Sequence, residues 1–593
     1  MKLPYSLATT AAALLLFSTT TTATNNDKNY NAVGPRVHDD RQDVTYHGLY
    51  RNGVEVFLGV PFGEDTSGMN RFKPPRAVKH ARGTVVDATS YGPACPQKLV
   101  SGGAHIFAVS DVTEVSEDCL NLVIGRPRGA TRHSRLPVMV WIHGGGFWGG
   151  QNREATTSPD GLVRESVRNG LPVVSVAINY RLGFFGFAQS GALREEGSEN
   201  AGLRDQRLAL EWVRHHIRYF GGDPDNVTIF GQSSGGLAVG MQTLAYGGSK
   251  PVPFRRAICE SQCNEPGITG NFTLEAMGHM VDAVGCGDDS NLHSAETIAC
   301  FRGLDTATLL NASIATYRDD IGHNLGDIWL PVVDGDFLPA APSQLLREGR
   351  FANVTTMIGW CEDDLALFTD TTIATDSDAR AFISRYISAV TSENIDRLFD
   401  LYPVSEFAAN EEAGLSSQFY RTARIFRDIL MVCQPLHTAA RLAGRGNDVY
   451  VYAWNQTIGD QLIKRALNAT GFGVVHTSEI GYVFGNLSVY NSVGSSPIQP
   501  TSSDYALISR GSRSWSTFAT AGKPGLQGHD TFSGFTTAFP RGKDEVDVFI
   551  AGGPHEGLSA IDGPRAKPVM EAERLRERCS FLNSDEMIKQ LQY

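Results

Sequence analysis

The sequence predicts an α/β protein with a large, mainly parallel mixed sheet that helices cover on both faces. Three runs of β-branched and other apolar residues predict buried strands, at Leu136–Ile142, Pro172–Asn179 and Val227–Phe230. Strands that alternate with helices form parallel sheets, because each helix crosses one face and returns the chain. This arrangement predicts that chemically active residues lie at the carboxyl ends of the strands.

A helix is predicted between the second and the third of these strands. Over Leu203–Phe220 apolar residues recur at helical spacing, and Leu208, Trp212 and Ile217 fall on one side. A pair of glycines follows directly, which is typical of a helix end. The succession of strand, helix and strand is the βαβ unit on which the fold class rests.

Length and composition favour one large domain with long insertions. The chain has 593 residues, of which 41% are hydrophobic, and no Pro- or Ser-rich linker or repeat divides it. Its net charge of −12 comes without basic clusters, which argues against nucleic acid as a partner. We expect residues 25–593 to form this single domain.

The N-terminus has the pattern of a secretory signal peptide, which we place at residues 1–24. Lys2 precedes an apolar segment that ends at Phe17, and small residues continue to Ala23. This segment is too short to span a bilayer, and no later run reaches the roughly 18 apolar residues of a spanning helix. The sequence therefore predicts a secreted, extracellular protein without stable membrane insertion. The polar segment from Asn25 to Asp43 is expected to be a mobile leader.

Sequons and cysteines agree with export. One of seven Asn-x-Ser/Thr sequons, at Asn226, adjoins a predicted strand. The other six are expected to carry glycans: Asn271, Asn311, Asn353, Asn455, Asn468 and Asn486. Most of the nine cysteines should pair in an oxidising compartment, and an odd number leaves at least one thiol free. The C-x-x-C spacing of a zinc site is missing, so no metal is expected.

Residues 231–235, Gly-Gln-Ser-Ser-Gly, follow the third predicted strand and precede a predicted helix at Leu237–Ala245. G-x-S-x-G in this context is the pattern of a nucleophile elbow, a turn too tight for side chains at the flanking positions. Glycine at both ends removes the Cβ atoms that would clash. Ser233 is therefore the candidate nucleophile. It requires a base, an orienting carboxylate and donors for the oxyanion.

A glycine run after the first predicted strand supplies the donors. Residues 143–147 read His-Gly-Gly-Gly-Phe, and consecutive glycines let backbone N–H groups approach a ligand closely. We expect the N–H groups of Gly145, Gly146 and Ser234 to form an oxyanion hole. The loss of one such donor typically costs on the order of 10²–10³ in rate.

These motifs, in this order, resemble the type-B carboxylesterase/lipase family of the α/β-hydrolase fold, which includes cholinesterases and secreted fungal esterases and lipases. The resemblance runs from about Asp43 to Phe581. Besides the glycine loop and the elbow it includes Phe57–Pro61, Ser116–Leu122, Asn200–Gln206 and Pro331–Pro339. It implies the α/β-hydrolase fold with long insertions, and an ester hydrolase that needs no metal or organic cofactor.

The resemblance also implies the other members of a catalytic triad. His476 lies in a segment that matches the family's catalytic histidine, which implies a general base. The acid segment departs from the family pattern: relatives usually read Gly-x-x-x-Asp-Glu-Gly where residues 359–365 read Gly-Trp-Cys-Glu-Asp-Asp-Leu. Counting from the glycine places the acid at Asp364, with Glu362 and Asp363 as alternatives.

Two neighbours of the triad are singled out by the same resemblance. Gln232 stands beside the nucleophile where many relatives carry Glu. Ser261 matches a family serine near the acid, and an ordinary strand-end hydroxyl is the alternative reading of that residue.

The family's disulfide pattern implies three bridges, Cys95–Cys119, Cys286–Cys300 and Cys433–Cys579. Cys259, Cys263 and Cys361 are then left over. A bridge between the first two stays open, and Cys361 is expected to be a buried free thiol beside the acid.

We therefore predict a serine carboxylic-ester hydrolase that forms an acyl-enzyme on short- to medium-chain or small-molecule esters. The loop between Cys95 and Cys119 is short and has no tryptophan, which argues against cholinesterase activity. It also offers little material for the lid of an interfacial triacylglycerol lipase, the first alternative. A non-catalytic, neuroligin-like binding protein is the second alternative, and the presence of Ser233 and His476 argues against it.

Overall fold

A computed structural model of the protein describes residues 34–101, 108–320, 328–493, 497–540 and 545–593. The chain divides into the unit Met1–Gly34 and the unit Pro35–Tyr593, and all described secondary structure belongs to the second. The predicted signal peptide lies outside the described residues. Within them, no helix is both long enough and apolar enough to cross a membrane.

The strands and helices of the second unit alternate along most of the chain. The strands are β1 (Arg36–Asp39), β2 (Val44–His47), β3 (Leu49–Arg51), β4 (Val54–Pro61), β5 (Thr84–Asp87), β6 (Asn121–Pro127), β7 (Leu136–Ile142), β8 (Val174–Ile178), β9 (Gly222–Gln232), β10 (Arg256–Glu260), β11 (Thr355–Cys361), β12 (Val449–Trp454), β13 (Asp547–Ala551) and β14 (Gly557–Ala560). The helices are α1 (Pro159–Arg168), α2 (Gly183–Phe187), α3 (Gly191–Glu195), α4 (Ala201–His216), α5 (Ser234–Leu244), α6 (Phe272–Val284), α7 (Ala295–Gly303), α8 (Thr306–Asp320), α9 (Pro342–Glu348), α10 (Asp376–Tyr386), α11 (Ser392–Asp400), α12 (Ser417–Arg427), α13 (Cys433–Gly444), α14 (Gly459–Leu467), α15 (Ile480–Val483), α16 (Ser502–Ala521), α17 (Pro568–Glu571), α18 (Leu575–Leu582) and α19 (Asp585–Leu591).

In the described residues, an 11-stranded mixed sheet has the order β14-β13-β12-β11-β10-β9-β7-β8-β6-β4-β3. The seven strands from β13 to β8 in this order are parallel to one another. Antiparallel strands close both ends, since β14 pairs with β13 and β6 pairs with both β8 and β4. The sheet is thus mixed and mainly parallel, as the sequence predicts.

Both faces of this sheet are buried. Ile229 of β9 packs in one hydrophobic core with α4 and α5, whereas its neighbour Phe230 packs in a second core with α1 and α16. A strand that is covered on both faces needs apolar residues at successive positions, which explains the continuous apolar runs in the sequence. The predicted helix over Leu203–Phe220 corresponds to α4 and one following 3₁₀ turn.

The expectation of a mobile leader up to Asp43 is wrong for its last part. Residues 36–39 form β1, which pairs with β2 in a small three-stranded sheet that also contains β5. A long-range hydrogen bond anchors this strand: Asp39 is fully buried, and its carboxylate lies 2.6 Å from Nδ1 of His216 in α4. A polar composition alone could not reveal this anchor.

The carboxyl ends of the parallel strands carry the predicted site. The glycine loop follows β7, Ser233 follows β9, Ser261 follows β10, and the acid segment follows β11. His476 lies in the connection between α14 and α15. Residues that are distant in sequence therefore converge at one edge of the sheet.

Candidate active site

Ser233 occupies a strained turn between β9 and α5. Its backbone dihedrals are φ 60° and ψ −135°, a combination that costs free energy for any residue with a Cβ. A Cβ on Gly231 would lie 2.5 Å from the carbonyl oxygen of Gly235, so the turn admits no side chain there. The Ser233 N–H donates to the carbonyl of Glu260 on the neighbouring strand at 2.9 Å, which fixes the turn to the sheet. These features match the nucleophile elbow.

His476 and Asp364 form a short, buried hydrogen-bonded pair. His476 Nδ1 lies 2.6 Å from Asp364 Oδ1, and the two residues are 4% and 0% exposed. The other carboxylate oxygen accepts the N–H of Cys361 at 2.7 Å, and the His476 N–H donates to the Asp364 carbonyl at 3.1 Å. A carboxylate on Nδ1 assigns the proton to that nitrogen and leaves Nε2 as the acceptor that a general base needs.

The two alternative acids have other partners. The Glu362 carboxylate accepts a hydrogen bond from the side-chain amide of Asn455. Asp363 Oδ2 accepts the N–H of Val474 at 3.0 Å. The structure therefore brings Asp364, the first choice from the sequence, to the histidine.

The predicted glycosylation sites differ in their surroundings. The side-chain amide nitrogen of Asn455, to which a glycan would be attached, donates to Glu362. The predicted sites Asn271, Asn311, Asn353 and Asn468 are exposed.

The histidine lies beside the elbow. Nε2 of Gln232, the residue before the nucleophile, is 3.0 Å from Nε2 of His476. The ring of Phe368 meets the imidazole edge-on at a centroid distance of 5.6 Å and is 38% exposed, so it forms the rim of the site. Sequence analysis missed Phe368, although the apolar residues that directly follow the acid segment were a signal.

The glycine loop packs against the elbow. A Cβ on Gly144 would lie 3.0 Å from the Cβ of Ser233. The hydroxyl of Ser234 accepts the N–H of Phe147 at 3.2 Å, which joins the loop to the first turn of α5. Close contact between the two backbones explains why glycine is required at this point.

The predicted oxyanion donors lie in this contact region. Gly145 and Gly146 have φ values of 112° and 61°, and within the described residues their N–H groups donate to no protein acceptor. The N–H of Ser234 belongs to the first turn of α5, where intrahelical partners are missing and the helix dipole favours negative charge. Together these groups offer the donors that an oxyanion hole requires.

His143 and Tyr180 hold the base of the loop. The Tyr180 hydroxyl donates to the carbonyl of His143 at 2.7 Å, and the two rings stack at a centroid distance of 4.5 Å. Burial lowers the pKa of His143 to about 4, so its imidazole stays neutral at ordinary pH. We assign His143 to the support of the loop and not to proton transfer.

Ser261 and Cys361, the two residues predicted near the acid, lie next to each other. Ser261 is fully buried with φ 56°, and its Oγ lies 4.0 Å from the sulfur of Cys361. Cys361 is a buried free thiol, and it donates to the carboxylate of Glu479 at 3.0 Å.

Three disulfides occur, and they join the pairs that the family resemblance implies: Cys95–Cys119, Cys286–Cys300 and Cys433–Cys579. Cys259 and Cys263 are buried thiols without a bridge. In the part of the chain that the structure describes, no group of three or more His, Cys, Asp or Glu side chains is arranged to hold a metal ion.

A small cavity lies next to the glycine loop. It has a volume of ≈ 10 Å³, and Trp148, Phe184 and Trp329 are among its mostly apolar lining residues. A space of this size holds about one water molecule.

Comparison with known proteins identifies a family model and relatives that this chain matches. A model of the carboxylesterase family matches residues 42–544. A secreted lipase of Arthroderma benhamiae is 54% identical over 562 residues, which cover 95% of this chain and 97% of the relative. An inactive carboxylesterase-like protein of Byssochlamys spectabilis is 35% identical over 83% of this chain and 84% of its own length.

Solved structures show the same fold. The crystal structure of Aspergillus niger EstA superposes with a TM-score of 0.74 at 24% identity, covering 95% of this chain and 100% of that one. A PNB esterase gives a TM-score of 0.72 at 25% identity over 92% of this chain and 99% of that one. The fold is therefore that of the α/β-hydrolases, as the motifs implied.

Proposed function

The chain belongs to the carboxylesterase family and is a carboxylic ester hydrolase, and from this premise we propose that it works through Ser233, His476 and Asp364 by an acyl-enzyme mechanism. We further propose that it acts outside the cell, on esters with short to medium acyl chains. The observation that carries the catalytic proposal is the 2.6 Å bond between His476 and Asp364 beside the strained elbow of Ser233.

In the first half-reaction, Ser233 Oγ attacks the carbonyl carbon of the ester while His476 Nε2 takes the hydroxyl proton. Asp364 holds the imidazole in the required tautomer and stabilises the imidazolium that forms. The carbonyl oxygen becomes an oxyanion, which the N–H groups of Gly145 and Gly146 would stabilise, with that of Ser234. The bond to the alcohol then breaks, and His476 returns the proton to the leaving oxygen.

In the second half-reaction, water takes the place of the alcohol. His476 removes a proton from the water as it attacks the acyl carbon of the ester on Ser233. The same donors stabilise the second tetrahedral intermediate. The bond to Ser233 breaks, the serine recovers its proton from His476, and the carboxylic acid leaves.

The test of this proposal is Ser233→Ala, assayed with a panel of esters on the secreted protein. We expect kcat to fall by a factor on the order of 10⁴ or more, because removal of a triad member leaves only binding and oxyanion stabilisation. Ser377→Ala is the matched control, since Ser377 is an exposed serine on α10, and it should keep full activity. A Ser233→Ala protein that hydrolysed esters like the wild type would rule the mechanism out.

The preference for esters with short to medium acyl chains is a separate part of the proposal. The short loop between Cys95 and Cys119, which offers little material for a lid, supports a preference for short to medium acyl chains. The 54% identical relative is named a secreted lipase, and this observation favours triacylglycerol hydrolysis as a second candidate function.

Rates on short- and long-chain esters, measured below and above their solubility limits, separate the two candidates. An esterase should reach its maximal rate on dissolved short-chain substrate. A lipase should gain activity when long-chain substrate forms an emulsion, because its apolar surface then meets an interface. A sharp rise above the solubility limit would therefore contradict the short-chain proposal and favour the lipase.

A further inference from the structure

Behind the triad lie four buried side chains that can hold a proton: Glu260, Cys361, Tyr452 and Glu479, here named the buried acid cluster. Each of them is 0% exposed. The mechanism proposed above uses none of these side chains. Buried carboxyl groups are costly unless they are neutral or paired, so their protonation state needs an explanation.

The sheet register places Glu260 and Tyr452 on one face. Glu260 of β10 is in register with Gly359 of β11, which is in register with Tyr452 of β12. A Cβ on Gly359 would collide with the ring of Tyr452, so the glycine makes room for this ring between the strands. Trp515 of α16 closes the face, because its Nε1 donates to Glu260 Oε1 at 2.6 Å and its ring meets Tyr452 at 5.2 Å.

The cluster contacts every segment that carries a member of the triad. The main-chain oxygen of Glu260 accepts the N–H of Ser233. Cys361 donates its thiol proton to Glu479 at 3.0 Å and its N–H to Asp364 at 2.7 Å. Glu479 itself lies three residues after the histidine of the site. A change in the charge of the cluster would therefore act electrostatically on the segments of Ser233, Asp364 and His476.

Two observations bear on that charge. Within the described residues, Glu260 Oε2, Glu479 Oε1 and the Tyr452 hydroxyl have no hydrogen-bond partner. Burial and the charge of Glu479 raise the pKa of Glu260 well above its usual range, while burial and the charge of Asp364 raise the pKa of Glu479 to about 7. The titratable groups that face the two carboxyls are Asp364, Cys361, His476, Tyr452, Tyr490 and, on the strand of Glu260, Cys259.

We propose that Glu260 works as a protonated carboxylic acid, so that the buried acid cluster carries at most one negative charge, on Glu479, in the active enzyme. The proposal rests on the function proposed above. Glu260 Oε2 is buried and no donor of the described residues reaches it, so a carboxylate would place charge there without a hydrogen bond, whereas a carboxylic acid is neutral. Two carboxylates beside that of Asp364 would repel one another strongly, because all three are buried away from bulk solvent.

Glu260 is thus a positioning residue that sets the alkaline limit of activity. When it loses its proton, repulsion within the cluster acts on the strand end that holds Ser233 and on the segment that holds His476. The geometry between nucleophile and base then degrades, and a small misplacement is enough to lower the rate.

Glu260→Gln tests the proposal, because glutamine has the shape and the neutrality of the protonated acid. Its oxygen can accept from Trp515 and its amide can donate, but it cannot ionise. We expect kcat/KM near neutral pH to stay within about threefold of the wild type, and the alkaline limb of the pH profile to move up by about one pH unit or more. Glu412→Gln, an exposed exchange of the same kind, should follow the wild type.

Thermal unfolding reports on the protonation of Glu260 in the absence of substrate. A carboxyl whose pKa is higher in the folded state stabilises the fold fully below its unfolded value, and this contribution is lost as pH rises through the folded value. Above about pH 4.3 the wild-type Tm should therefore fall faster than that of Glu260→Gln, by roughly 1 °C per pH unit. If Glu260→Gln is not secreted, infrared spectra of the wild type should show a protonated buried carboxyl that disappears along the alkaline limb.

Three results would overturn the proposal. The first is an alkaline limb of Glu260→Gln that coincides with that of Glu412→Gln. The second is that Glu260→Gln loses as much activity near neutral pH as a Glu260→Ala variant does, which would mean that the charge of Glu260 is needed. The third is a wild type without a protonated carboxyl near neutral pH. Failure of the triad itself is recognised separately, since Ser233→Ala would then keep its activity while the unfolding experiment still reports on Glu260.

Discussion

Asp364→Asn is the most informative substitution, because it replaces one carboxylate oxygen by an NH₂ group and thereby moves the proton of the His476 ring to its other nitrogen. Asp364 Oδ2 accepts the fixed N–H of Cys361 at 2.7 Å, while Oδ1 faces His476 Nδ1 at 2.6 Å. An asparagine has one acceptor oxygen, and the backbone N–H of Cys361 can only donate. The amide oxygen therefore stays with Cys361, and the NH₂ group faces the histidine.

The consequence for His476 follows from hydrogen-bond polarity. Nδ1 must then accept, so the proton moves to Nε2, which can no longer take the proton of Ser233. A wrong tautomer of this kind lowers kcat by a factor of about 10⁴ in serine hydrolases of the same triad geometry. At 1.36 kcal/mol for each tenfold change, this loss is about 5 kcal/mol of transition-state stabilisation.

The assay is kcat on a dissolved short-chain chromogenic ester, with secretion level and Tm measured in parallel to show that the fold persists. Asp363→Asn is the matched control, since Asp363 lies next in the chain and its carboxylate binds the N–H of Val474. We expect this control to stay within a few-fold of the wild type. If Asp364→Asn kept a tenth or more of the wild-type kcat while Asp363→Asn collapsed, the assignment of the acid would be refuted.

Two further predictions concern the immediate neighbours of the nucleophile. Gln232→Glu places a carboxylate about 3.0 Å from the imidazole of His476. Its charge stabilises the imidazolium, so the acid limb of the kcat/KM profile should move to higher pH by about one unit, and an unmoved limb would contradict this contact. Gly145→Ala adds a Cβ at φ 112°, where it collides with the carbonyl oxygen of Gly149. We expect kcat to fall on the order of 10²-fold with KM little changed, and an unchanged kcat would remove Gly145 from the oxyanion hole.

Much of the fold and of the candidate site follows from local sequence. The strand Leu136–Ile142 has the bounds that its apolar run predicts, because a strand buried on both faces leaves an unbroken apolar signature. The turn at Ser233 is equally visible, since only glycine tolerates the crowding at its two ends. Both signals lie within a few residues and depend on backbone sterics and periodicity alone.

Local sequence patterns could not predict the long-range contacts. The leader was predicted to be mobile up to Asp43, yet Asp39 is anchored by His216, which lies 177 residues away. Phe368 at the rim of the site and the contact of Gln232 with His476 depend on the meeting of segments that no local pattern connects.

The sequence by itself therefore determined the class of fold, and it gave a candidate nucleophile, the glycine loop and a short list of candidate acids. Only the tertiary structure shows which of those acids contacts His476, because Glu362, Asp363 and Asp364 are adjacent and chemically alike. The three carboxylates differ in the direction in which the turn after β11 points them. That of Asp364 meets His476, whereas those of Glu362 and Asp363 accept hydrogen bonds from Asn455 and Val474. The same folding buries Glu260, and burial followed by the charge of Glu479 raises the pKa of Glu260, which its position in the sequence does not reveal.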